Sequence, residues 1–193
     1  MITVLRYDDS DMKIVGSAER KKEDINTADF LAALAQQHFN GNYAKAKTLG
    51  SNIVSAFSYR AAPEELKELV REAGVAPDDD VMLQVKILSV FSAEYCLNTY
   101  MPSALLSGVA LGGLYEILED VSPDFYAALS HSTAFSFYYL AMKGNGDVPA
   151  LIGRQFAALC GKPDDEAYCA LGEKLHRMNV DVYKKAIRGF AFV

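Results

Sequence analysis

The sequence predicts an all-α fold, a single-domain bundle of seven to eight helices with a short N-terminal extended arm or hairpin. Three observations predict it. All six prolines (Pro63, Pro77, Pro102, Pro123, Pro149, Pro163) stand at or near the start of a helical pattern, and none interrupts one. Proline lacks the N–H that the first turn of a helix leaves unpaired, so it is tolerated there. Acids follow several of them, as in Glu64-Glu65, Asp78-Asp79-Asp80 and Asp164-Asp165-Glu166, where negative charge complements the helix dipole. Apolar residues between these starts recur at helical spacing.

The elements follow in order. Residues 1–22 form the arm or a small hairpin: Ile2–Tyr7 and Met12–Val15 read as two short strands or as an extended tail before the charged run Glu19–Asp24. The helical domain covers residues 23–193. Its first helix, Thr27–Phe39, places Phe30, Leu31, Leu34 and His38 on one face. The second runs over Tyr43–Tyr59, with Ala46, Gly50, Ile53, Val54 and Phe57 at helical spacing. The third, Glu64–Ala73, buries Leu66, Leu69 and Val70 and stops at Gly74. Asp79–Tyr100 and Ser103–Asp120 are the fourth and fifth. The sixth starts with Ser122 as N-cap and Pro123 in the first turn and is expected to continue unbroken to Met142. Residues 143–146 turn, and Val148–Cys160 and Asp164–Arg188 complete the set.

The middle of the chain is nearly uncharged. Residues 87–115 contain one formal charge, Glu94, and residues 125–142 contain none apart from titratable His131. Helices apolar all round belong in the centre of a bundle or in a membrane. Scattered serines, Asn98 and Thr133 in these runs favour the bundle, so the fourth to sixth helices are expected to form the buried hub. Ala104, Gly108 and Gly112 repeat every four residues, which suits close approach of a neighbouring backbone. On that reading a large residue at Gly108 or Gly112 costs about 1–3 kcal/mol by overpacking.

Charge narrows the function classes. The chain carries 19 basic and 25 acidic residues, a net charge of −6. Residues 1–74 hold 10 basic and 11 acidic, so residues 75–193 hold 9 and 14, net −5. Neither part offers the positive footprint that phosphate binding requires, so nucleic acid is not expected as a partner, nor is a membrane. The stretch Leu66–Val75 before Asp78-Asp79-Asp80 imitates a helix-turn-helix, but three carboxylates would open its recognition helix. Cys96, Cys160 and Cys169 are an odd count without CxxC spacing. Met1–Asp11 is charged and has no apolar stretch of a secretory signal. A reduced, cytoplasmic protein is the simple expectation.

Few residues carry chemistry. Glu94 lies in Val90-Phe-Ser-Ala-Glu-Tyr-Cys-Leu97, where an unpartnered carboxylate is expensive to bury. It either faces outward or pairs with a His, Arg or Tyr to lock its helix, or it lines an internal pocket. His131, Phe135 and Tyr138 share a face if their helix is continuous, in a segment also bearing Tyr126, Phe137 and Tyr139. They form a core face with one hydrogen-bonded histidine, or an aromatic pocket with a polar anchor. Arg154 is a candidate partner for either group or for an anionic ligand. Glu173 and His176 form an E-x-x-H pair, but a dinuclear metal site needs two such pairs, so a solvated Glu–His pair is expected and no metal. There is no G-x-S-x-G, no G-x-G-x-x-G after a strand and no P-loop, and no cofactor is expected.

The function that fits is a non-catalytic helical module binding a small molecule or a protein partner. Glu94, His131, Phe135, Tyr138 and Arg154 are its candidate ligand-binding residues, and a homodimer is its expected assembly. The alternative is an enzyme using Glu94 and His131 as an acid–base pair in an internal aromatic pocket.

Overall fold

The computed structural model describes residues 27–60 and 63–193, with the side chains of residues 56–60 and 63 left aside. The expected arm or hairpin over residues 1–22 lies outside the described residues. Those residues are all-α: α1 (Thr27–Phe39), α2 (Asn42–Arg60), α3 (Pro63–Glu72), α4 (Asp79–Tyr100), α5 (Ala104–Val121), α6 (Pro123–Ser130), α7 (Ala134–Met142), α8 (Val148–Leu159) and α9 (Glu166–Arg188).

The starts obey the local rules. Asp78 Oδ1 accepts the Val81 N–H at 2.8 Å, Ser103 Oγ accepts that of Leu106 at 3.3 Å, and Asp165 Oδ1 accepts that of Ala167 at 3.0 Å. Each pairs a donor that the first helical turn cannot satisfy itself. Pro123 and Pro149 sit in the first turns of α6 and α8. Gly74 ends the turn after α3 at φ +78°, a conformation that costs glycine nothing.

α4 is the axis of the core. Eleven of its residues are buried, from Val81 to Leu97, and it packs against α9 on one side and α5 on another. Two polar pairs cross the α4–α9 seam: Ser92 Oγ lies 2.9 Å from His176 Nδ1, and Ser89 Oγ lies 2.6 Å from the Tyr183 hydroxyl. The fully buried Phe91 ring meets Phe135, Tyr138 and Tyr139 of α7 at centroid distances of 5.5, 4.8 and 5.1 Å. Burying one such ring is worth about 1.5–3 kcal/mol. α2 closes on α5, and α8 on α9, each through glycines that bring backbones together.

Four expectations need correction. The sixth helix is two helices, because residues 130–133 offer their backbone local alternatives. Ser130 Oγ donates to the Tyr126 carbonyl at 2.8 Å, His131 Nδ1 to the Ala127 carbonyl at 2.7 Å, and Ser132 Oγ accepts the Ala134 N–H at 3.1 Å. The helix ends there and restarts as α7. The hub is accordingly α4 with α9 and one face of α5, whereas α6 buries only Phe125 and Leu129.

The glycine stripe is also out of phase. A Cβ on Gly108 or Gly112 would meet nothing within 4 Å. The close approach falls to Gly113, where a Cβ would stand 2.6 Å from the Lys47 carbonyl oxygen, and to Gly50, where it would collide with the Ala110 carbonyl. Ala104, Gly108 and Gly112 instead floor an open groove with Phe30, Leu34 and Tyr43. Finally, Glu173 and His176 do not form a solvated pair: Glu173 accepts from Arg177 at 3.0 Å, and His176 is buried against Ser92.

Candidate functional site

Glu94 lies on the rim of the α4 core face, half-buried. It has found the tyrosine partner that its apolar setting demands, and in fact two. The Tyr115 hydroxyl of α5 donates to Oε2 at 2.5 Å, and the Tyr139 hydroxyl of α7 donates to Oε1 at 2.6 Å. One carboxylate thus ties together three helices, α4, α5 and α7. Among the described residues no lysine, arginine or histidine forms an ion pair with it. Burial, and then the hydrogen bond and charge of Glu94, push both tyrosine hydroxyls well above the ordinary tyrosine range. They remain neutral donors, and the negative charge stays with the cluster. Beside it on the α4–α5 seam, Ser107 Oγ donates to Asn98 Oδ1 at 2.8 Å.

The α6–α7 break opens a groove beside this cluster. Its volume is about 290 Å³, and Tyr115, Tyr126, Leu129, Ser130, Ser132 and Phe135 line it. Tyr115 is common to both: its hydroxyl holds Glu94 while its ring forms a wall. The Tyr126 ring stands edge-on to it, 6.5 Å between centroids at 61°. Phe135 is held from behind by Phe91 in edge contact at 78°. Ring walls fixed by a core residue on one side and a carboxylate on the other are pre-organised, as small-molecule sites are.

The five residues singled out in the sequence do not converge. Glu94 and Phe135 belong to the cluster and the groove. Tyr138 is fully buried in the core, and its hydroxyl finds no partner among the described residues. His131 is exposed in the α6–α7 turn, bonded to Ala127, and no hydrogen bond or ion pair joins it to Glu94. Arg154 is exposed on α8, where its charge acts on Cys169. Tyr115 and the ring face of Tyr126 were not singled out. The available signal was the spacing Ser107, Leu111, Tyr115, which puts a polar-tipped ring on the serine's face of a helix uncharged up to that point.

The buried histidine is structural. The Ser92 hydroxyl spends its one proton on the Leu88 carbonyl at 2.8 Å, so the His176 contact requires the proton on Nδ1, donated to Ser92. Burial, and then the Arg177 charge, depress the His176 pKa from the usual 6.5 to about 4. Burial pushes the Cys96 and Cys160 thiols up to about 12, which makes both poor nucleophiles. Among the described residues no cluster of three His, Cys, Asp or Glu side chains is placed to hold a metal ion. No helix among them is long and apolar enough to cross a membrane. Compared with known proteins, the chain matches no family model, no curated protein and no solved structure.

Proposed function

We propose that the protein is a non-catalytic helical module that binds a small molecule in the groove between α5, α6 and α7. The observation that carries this reading is the shared residue Tyr115, whose hydroxyl is locked to Glu94 at 2.5 Å and whose ring walls the groove. A volume of about 290 Å³ suits a compact ligand of one ring or a short branched chain. Ser130 and Ser132 supply hydroxyls at the rim. A fragment screen read by NMR on protein labelled in its aromatic rings tests the reading. Binding fragments should shift Tyr115, Tyr126 and Phe135, and Tyr126→Leu should weaken them. Fragments that shift only other rings would sink it.

A second reading, a protein-binding surface, is supported by α1. None of its residues is buried, although Phe30, Leu31 and Phe39 are 46%, 56% and 96% exposed. Large exposed apolar side chains gathered on one helix mark interaction surfaces. The homodimer expected from the sequence is its simplest form, joined through α1. Sedimentation over a concentration series should then show a dimer that Phe30→Ser and Leu31→Ser dissolve. A monomer at every concentration would remove this reading.

A further inference from the structure

We infer that the groove selects organic cations, recognising an amine or quaternary ammonium by its charge and not by shape alone. The inference rests on the reading of the groove as a small-molecule site and specifies its ligand class. Three observations point the same way. Tyr115, Tyr126 and Phe135 line one space, and aromatic rings attract cations through their quadrupole. The Tyr115 hydroxyl is bonded to the Glu94 carboxylate, which has neutral tyrosines as its side-chain partners and, among the described residues, no ion pair with a basic residue. Among the described residues, no lysine or arginine lines the groove.

The hydrogen bond adds to the effect. A phenol that donates its proton to a carboxylate gains electron density in its ring, so the Tyr115 face becomes a better cation acceptor than a free tyrosine. The carboxylate then acts on the ligand through the ring, and its Coulomb attraction grows as the ligand displaces water. An anion would meet the same field as repulsion. A neutral ligand of the same shape would gain only the apolar contact.

Choline and its uncharged carbon isostere, 3,3-dimethylbutan-1-ol, separate these terms. Both are titrated into ring-labelled protein at pH 8 and fixed ionic strength, with shifts followed at Tyr115, Tyr126 and Phe135. Choline should bind about tenfold more tightly than the alcohol. Glu94→Gln keeps a carbonyl acceptor but removes the charge; it should cut that preference to what the rings alone supply and leave the alcohol unchanged. Tyr126→Leu, outside the carboxylate cluster, should weaken choline more than the alcohol and guards against a folding defect at Glu94. Equal affinities for the two probes, or equal weakening of both in Glu94→Gln, would overturn cation selection while leaving a small-molecule groove. If neither probe nor any other fragment shifts these rings, the groove reading falls together with it.

Discussion

The carboxylate of Glu94 and the hydroxyl of Tyr115 meet at 2.5 Å across the α4–α5 seam, and Tyr139 completes the clasp at 2.6 Å from α7. The clasp joins two helices that the nearly uncharged middle of the chain builds to a third that starts only because α6 ends at His131. Removing its acceptor leaves two hydroxyls without their partner in a half-buried setting. Glu94→Ala should destabilise by about 2 kcal/mol, and Tyr115→Phe and Tyr139→Phe by about 1 kcal/mol each. Urea denaturation of the single and double variants checks this. The effects of Glu94→Ala and Tyr115→Phe should be non-additive, because they break the same bond.

His176 sets a pH dependence of stability. Its imidazole is neutral in the fold down to about pH 4, whereas the unfolded chain takes up the proton near 6.5. The unfolded state therefore binds more protons in this window. The contribution is complete above pH 6.5 and is lost as pH falls through about 4, on the order of 3 kcal/mol in all. Denaturation midpoints from pH 7 to 4.5 should fall in the native protein and fall less in His176→Gln. An NMR titration placing the His176 pKa near 6.5 would contradict the burial argument.

Glycines separate by what lies beside them. Gly50→Ala and Gly113→Ala should each destabilise by about 1–3 kcal/mol, since the new methyl meets backbone of the partner helix. Gly108→Ala and Gly112→Ala face open space and should stabilise by up to about 1 kcal/mol through helix propensity. Thermal melts of the four variants give the ordering directly.

The Tyr138 hydroxyl is buried without a partner among the described residues, which leave its desolvation uncompensated. Tyr138→Phe keeps the ring against Phe91 and should raise stability by about 1 kcal/mol. A fall of similar size would reveal a partner, such as a buried water, for that hydroxyl.

Much of the fold was legible in local chemistry. The limits Thr27–Phe39 and Asp79–Tyr100 follow from apolar spacing and from the Asp78 cap, all of which act within a few residues. The need of Glu94 for a partner was legible too, because an isolated carboxylate in an apolar run has few stable outcomes. Which tyrosines would supply it was not, since Tyr115 and Tyr139 stand 21 and 45 positions away. The α6–α7 break had its signal in Ser130–Thr133, where side chains compete for the backbone, but apolar periodicity on either side masked it. The glycine stripe failed by one residue of register: Gly112 and Gly113 are neighbours in sequence, yet a Cβ on the first would meet nothing within 4 Å and on the second would meet the Lys47 backbone.

A crystal structure from crystals soaked in the best groove fragment tests the central claim most directly. It should show both tyrosine hydroxyls on the Glu94 oxygens and ligand density between Tyr115, Tyr126 and Phe135. Glu94 turned to solvent with its tyrosines unbound, or those three rings collapsed upon one another with the fragment bound elsewhere, would contradict the account.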